Sequence, residues 1–242
     1  MRKSSIDIAF GAVRTAMLAV TFLAAFTIMS NVEGRRSISE EEDLEFERQL
    51  RIINKPAIKT IKNEYGDVYN FVDIYKQPAF DHPLLKDHKI QIPEGYWSST
   101  KTKASKPSVF GMKEGCPLGT VPIRRVTKED LIRAKSVSKK YVEFYGRKDL
   151  QSSYEVNPSL YGDSKTRLFT YWTRDNHQTT GCFNIRCTSF VQINKNVPLD
   201  SVFITISKVD KEQFNMRLGV YQDEKIKVWY LILGEKGELI GY

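Results

Sequence analysis

What this sequence lacks narrows it before any motif is read. It has three histidines and three cysteines, and these do not supply the second Cys or His pair that a tetrahedral zinc shell needs. Its apolar run from Ala16 to Met29 would rise only about 21 Å as a helix, short of the roughly 30 Å hydrocarbon core of a bilayer. The formal net charge is +8, yet the basic residues are scattered and no basic stripe alternates with stacking aromatics. That pattern argues for a generally basic surface and against a nucleic-acid partner. No N-glycosylation sequon is usable, because Asn157-Pro158-Ser159 is blocked by its proline. What is present, 41% hydrophobic and 12% aromatic residues, is enough to build a core and excludes an intrinsically disordered chain.

The first 34 residues read as an address. Arg2, Lys3 and Arg14 precede or flank the apolar run, and Gly34 follows Val32 at the spacing a signal peptidase accepts. Secretion, with no membrane association after cleavage, is the expectation. An oxidising compartment makes disulfides the default for cysteine. Cys182 and Cys187 enclose four residues, a length that closes a small loop between strands. The sharper alternative, zinc held with His177, lacks the remaining ligands, and neither a metal nor a cofactor is expected. Cys116 is left over as a free thiol, an intermolecular partner, or the survivor of a bridge whose other half is gone.

Two helices and a hairpin follow from local signals. Ser39 with Glu42 three residues on forms a capping-box pattern, and Glu40 to Asp43 suit the positive end of a helix. Phe46, Leu50 and Ile53 fall on one face, and Asn54-Lys55-Pro56 ends the run. Thr127 and Asp130 open a second helix that carries Leu131, Ala134, Val137 and Tyr141 on one side. Between them, Gly66-Asp67 is the turn joining TIKNEY to VYNFVDIY. Pro78 and Pro83 predict an extended, irregular surface segment around His82 and His88, read as surface histidines with metal or catalytic roles as the sharper option. Residues 94–115 are lysine-rich and broken by Gly and Pro, hence a loop. The dibasic pairs Arg124-Arg125 and Lys139-Lys140 suit either processing or a solvated basic helix face.

The remainder alternates with period two. Val202, Ile204 and Ile206, then Phe214 to Val220, then Ile226 to Ile232 each predict a strand with one buried face, separated by charged turns. The spacing predicts an antiparallel meander, with ELIGY as a last strand.

At this point a resemblance covers nearly everything after residue 43. The runs QPAFDHPLLKDHKIQ, CPLGTVPIRR, NPSLYGD, TRLFTYWTRD, TGCFNIRC and FVQ, in this order, closely resemble the plant neprosin family, secreted prolyl endopeptidases of the glutamic peptidase type. The resemblance implies an activation-peptide-like region at 35–127 after a leader at 1–34, a helix and linker at 128–149, and a partial catalytic β-sandwich at 150–242. The implied fold class is mainly β with an α+β N-terminal part: an incomplete antiparallel β-sandwich preceded by an activation-peptide-like region with two helices.

The family's chemistry rests on two glutamates, one activating water as general base and the other handling the proton and the developing oxyanion. Aligned through Val156, Asn157 and Pro158, the first glutamate position is Gln151 and the neighbouring tryptophan position is Tyr154. An amide has no useful proton affinity, so Gln151 cannot be the base. Glu155 is the one substitute nearby, on the same face of a strand but about 13 Å further along it. Ile240-Gly241-Tyr242 matches the opening of the motif upstream of the second glutamate, and the sequence ends there. Phe71 stands where the activation peptide commonly carries a cysteine, which would account for the unpaired Cys116. The resemblance thus implies a C-terminally truncated, catalytically inactive homologue, with an active proline-directed peptidase or a binding module as alternatives. Expected partners are peptide or protein substrates if active, or full-length family members.

Overall fold

The computed structural model describes residues 38–85, 87–93, 115–145, 150–173, 175, 180–235 and 237–242. The expected leader at 1–34, the loop at 94–114, His177 and the side chains of Lys139, Lys140, Tyr141 and Gln151 lie outside what is described. Residues up to Leu44 group as a unit of their own, and Glu45–Tyr242 form a second compact unit. No helix among the described residues is long and apolar enough to cross a membrane.

Helix α1 (Glu40–Ile53) begins as the capping pattern requires, with the Glu42 amide donating to Ser39 Oγ at 3.2 Å. Farther along, Phe46 and Ile53 are buried and Leu50 packs beside them against Val126 and Leu131. Strands β1 (Lys59–Lys62) and β2 (Val68–Asp73) form the expected hairpin. Gly66 supplies the left-handed residue of the turn at φ 89°. A third strand, β3 (Thr120–Arg124), pairs with β2 on the far side and completes sheet A. Sequence reading had no strand there; the strand carries Pro122 and lies at the edge of its sheet, where a missing N–H costs little.

Helix α2 (Lys128–Tyr145) is capped reciprocally: the Asp130 amide donates to Thr127 Oγ1 at 3.2 Å, and the Thr127 amide donates to Asp130 Oδ2 at 3.0 Å. Sheet B follows as β4 (Leu150–Glu155), β5 (Arg167–Trp172) and the short β6 (Cys182–Phe183), with the one-turn helix α3 (Pro158–Tyr161) between β4 and β5. Sheet C is the meander β7 (Leu218–Gln222), β8 (Trp229–Leu233) and β9 (Glu238–Gly241). The expected mainly β architecture holds, built among the described residues from three small antiparallel sheets with three α-helices. One apolar cluster unites them, taking Val72, Val121 and Ile123 from sheet A, Leu168 from sheet B, and Leu231, Leu233 and Ile240 from sheet C.

Several local expectations change. The strands expected from Phe214 and from Ile226 begin only at Leu218 and Trp229, and Phe214 and Ile226 are exposed. The alternation at Val202 to Ser207 does not make a strand: Val202 forms a single bridge to Arg167, Phe203 turns into the core, and Ile204 and Ile206 are exposed. Alternation becomes a strand only beside a partner, and past Phe203 the chain instead closes a loop in which Ser207 Oγ both accepts from and donates to the Phe214 backbone. Pro78 and Pro83 open two 3₁₀ turns, Pro78–Asp81 and Pro83–Leu85, where their fixed φ is an asset. The segment is sewn to the body of the unit by Gln77, whose amide donates to Gln192 O and accepts from Gln192 N–H, both at 2.8 Å. Finally, Arg124 is buried and ion-paired, so the Arg124-Arg125 pair is neither a solvated basic face nor open to a processing enzyme in the folded chain.

The ion pairs of Arg124 belong to a buried cluster. Asp67 accepts from Arg124 Nε at 3.0 Å and from both terminal nitrogens of Arg167 at 3.0 and 3.2 Å. Arg124 also reaches Asp130 at 3.1 Å, Arg167 reaches Asp163 at 2.7 Å, and Arg186 reaches Asp200 at 2.9 Å. The guanidinium groups of Arg167 and Arg186 lie 5.3 and 5.5 Å from the Tyr161 ring centroid. Asn184, at φ 52°, accepts from the Thr170 amide at 2.6 Å and donates to Tyr161 Oη at 3.1 Å. These contacts tie sheet A, α2, sheet B and the 184–200 loop together across wide sequence separations.

Candidate functional site

The β4–β5 ladder decides where the family's glutamate position lies. It pairs Gln151 with Tyr171, Ser153 with Phe169 and Glu155 with Arg167; on the alternate face it pairs Leu150 with Trp172, Ser152 with Thr170 and Tyr154 with Leu168. Directly opposed residues share a face of the sheet. Phe169 and Tyr171 pack with Ala134 and Val137 of α2 and with Leu160 and Tyr161 of α3. The 151/153/155 positions therefore belong to the helix-covered face. Tyr154 turns the other way, onto Phe203 in an edge-to-face contact at 4.5 Å.

Glu155 is accordingly a half-buried group with a structural partner. Its Oε1 accepts from Asn157 Nδ2 at 2.8 Å, while Oε2 is buried with no hydrogen-bond partner. Burial pushes its carboxyl above the usual range, the Asn157 hydrogen bond opposing that shift. Asn157 also caps α3 by accepting from the Leu160 amide at 3.0 Å.

The opposite face of sheet B borders a cavity of about 770 Å³. Thr170 and Trp172 of β5, Cys182 of β6, Val220, Trp229 and Leu231 of sheet C, and Ser189, Phe190 and Val191 line it. His82 and His88 close it from the proline-rich segment, together with Tyr242. No Asp, Glu, Lys or Arg is among the described lining residues. His88 is not the plain surface residue its loop predicted: it is half-buried, its Nε2 lies 2.7 Å from Tyr242 Oη, and its ring stands 5.7 Å from the tyrosine ring. Trp172 and Phe190 stack at 5.8 Å between ring centroids. Gly241 is required where β9 ends, because a Cβ there would run into the Val191 carbonyl and the Phe190 ring. That close approach lets residues 191–192 pair with 241–242, with the Val191 amide donating to Tyr242 O at 2.7 Å.

Cys182 and Cys187 form the expected disulfide, with Cα atoms 6.1 Å apart. It borders the cavity directly. Cys116 is free, its Sγ 3.3 Å from Thr120 O, and burial pushes its thiol up. Phe71 is fully buried in β2, across from Pro122. Among the described residues no three His, Cys, Asp or Glu side chains gather to hold a metal ion. Sequence reading identified Gln151, Glu155 and the cysteines but brought no cavity together. The one signal that could have located it is period-two alternation in TRLFTYW, which sets Thr170 and Trp172 on the face away from Tyr171.

The family models for neprosin and for the neprosin activation peptide match residues 133–242 and 60–187 respectively, overlapping across α2 and sheet B. With the activation-peptide match alone spanning more than half of the chain, this protein belongs to the neprosin family.

Proposed function

We propose that this chain is a secreted, non-hydrolytic member of its family that works by binding. A hydrolase of the glutamic type needs two carboxylates facing one water. The observation that carries the reading is the separation of the two features: Glu155 lies on the helix-covered face of sheet B, held by Asn157, whereas the cavity lies on the other face and no carboxylate lines it among the described residues. Gln151, at the position the family gives its general base, has no group that can take a proton from water. The oxidised Cys182–Cys187 pair suits an extracellular location.

The test is a hydrolysis assay on the native secreted polypeptide, with proline-containing peptides across acid to neutral pH and cleavage read by mass spectrometry. No turnover above a heat-denatured control is expected. Turnover abolished by Gln151→Ala or by Glu155→Ala would overturn the proposal.

A further inference from the structure

The cavity between sheets B and C has a lining whose chemistry selects a ligand, and we infer that it is a binding site for one neutral, planar aromatic small molecule carrying hydroxyl or carbonyl groups. This deepens the reading of the chain as a binding protein and rests on it. Size is the first argument: about 770 Å³ falls within the range of roughly 300 to 1,000 Å³ that holds single small ligands. Charge is the second. Among the described lining residues there is no acid, lysine or arginine, and His82 and His88 are the only basic side chains, so an ammonium on the ligand would find no carboxylate and a carboxylate no fixed cation to repay its desolvation.

Shape of the walls is the third argument. The stacked pair Trp172 and Phe190 offers aromatic surface, and Trp229, 45% exposed, stands at the opening as a second indole. The polar contribution is a set of hydroxyls, including Thr170 and Ser189, suited to a few hydroxyl or carbonyl groups. Thr170, Trp172 and Leu231 lie on β5 and β8, the middle strands of their sheets, and their main-chain groups are engaged on both sides, so these walls present side chains to a ligand. Cys182 and Val220 reach the cavity from the edge strands β6 and β7, where an extended peptide could pair, so a competing peptide belongs in the test.

The experiment titrates the full secreted chain at neutral pH with three fluorescent probes of one shape: pyrenemethanol, pyrenecarboxylate and pyrenemethylammonium. Energy transfer from tryptophan to pyrene reports binding. Saturable one-to-one binding of pyrenemethanol is expected, with both charged analogues weaker by about tenfold or more. Val220→Trp fills the cavity from β7 and should weaken pyrenemethanol by about tenfold or more. Should that variant lack a native melt, Trp229→Ala decides, since the exposed indole can be removed without opening the core and its loss should weaken binding and reduce transfer. Equal binding of all three probes, no saturation, or wild-type affinity in both variants overturns the inference. So does displacement of pyrenemethanol by a proline-rich peptide with an inhibition constant below the Kd of pyrenemethanol, which would make the occupant a polypeptide. Hydrolysis measured on the same preparation keeps the two readings apart. Cleavage together with selective pyrenemethanol binding removes the non-hydrolytic reading alone, and no binding without cleavage removes the ligand alone.

Discussion

The two faces of sheet B hold opposite things. On the helix-covered side are charges without room: Asp67, Asp130, Asp163 and Asp200 interlock with Arg124, Arg167 and Arg186 at a site filled by side chains. On the cavity side is room, and among the described lining residues no acid, lysine or arginine. Hydrolysis by paired carboxylates needs space for a substrate and carboxylates at the same place, and among the described residues the β4–β5 pair sets Glu155 and the cavity on opposite sides. The comparison also separates two kinds of stability, since the charged face depends on completeness of its pairing and the cavity face on its frame.

The sharpest way to break the charged face is Asp67→Asn. Asp67 is the residue that joins Arg124 to Arg167, and all three side chains are at least nine-tenths buried. Removing one partner of a buried pair leaves an uncompensated cation, at a cost of about 3–5 kcal/mol. Urea denaturation should show that loss. A change below about 1 kcal/mol would mean that the remaining aspartates absorb both arginines and that Asp67 is not the junction.

On the cavity side, the corresponding lesion is Cys182→Ser with Cys187→Ser. The sequence separation is 5, so the closed loop is short and the chain-entropy contribution is about 2 kcal/mol. The loss should be smaller than for Asp67→Asn, yet it should act on the cavity as well, because both cysteines line it. Denaturation compared under oxidising and reducing conditions, with probe affinity alongside, checks this. A stability loss with unchanged probe affinity would show that the loop does not shape the wall.

How much of this was open to sequence reading depends on whether the signal was local. The caps at Ser39 and Thr127 and the Gly66 turn are each contained in a few residues, and each appears where expected. The run from Ile226 to Ile232 does yield β8, but the strand begins at Trp229 and buries Leu231 and Leu233 along with Tyr230. The ionic cluster was invisible because its members are far apart in the chain: Asp67 and Arg167 are 100 residues from one another and nothing in either neighbourhood announces the pairing. Strand β3 was not read from the sequence, and the alternation from Val202 onward was misleading because its pairing with β5 stops at the single Val202–Arg167 bridge. Glu155 was placed correctly on a strand with Gln151, but the face they share is set by the β4–β5 register and the packing of α2, neither of which is written in the local sequence.

The smallest effect is the most discriminating. Asp130 is fully buried and Glu155 half-buried, and burial works against ionisation of both carboxyls. At Asp130 it is outweighed by the charges of Arg124 and Arg186, the Thr127 amide and the Arg133 hydrogen bond, which hold the carboxyl at about 2. At Glu155 the single Asn157 hydrogen bond does not outweigh burial, and the carboxyl stays above its usual 4.5. The signs of linkage are therefore opposite. A carboxyl held low in the folded state stabilises above its unfolded value of 3.8 and loses that contribution as pH falls toward about 2. A carboxyl held high contributes its stability below 4.5 and loses it as pH rises through its folded value. Glu155→Gln keeps an oxygen that can accept from Asn157 and removes the ionisation. The variant should melt slightly above wild type at neutral pH and converge with it in acid, whereas Asp130→Asn should melt below wild type at neutral pH and converge only as the medium approaches the acid range. If Glu155→Gln instead lowers the neutral-pH melt, a cation in the folded protein stabilises its carboxylate, and burial is not what governs this group.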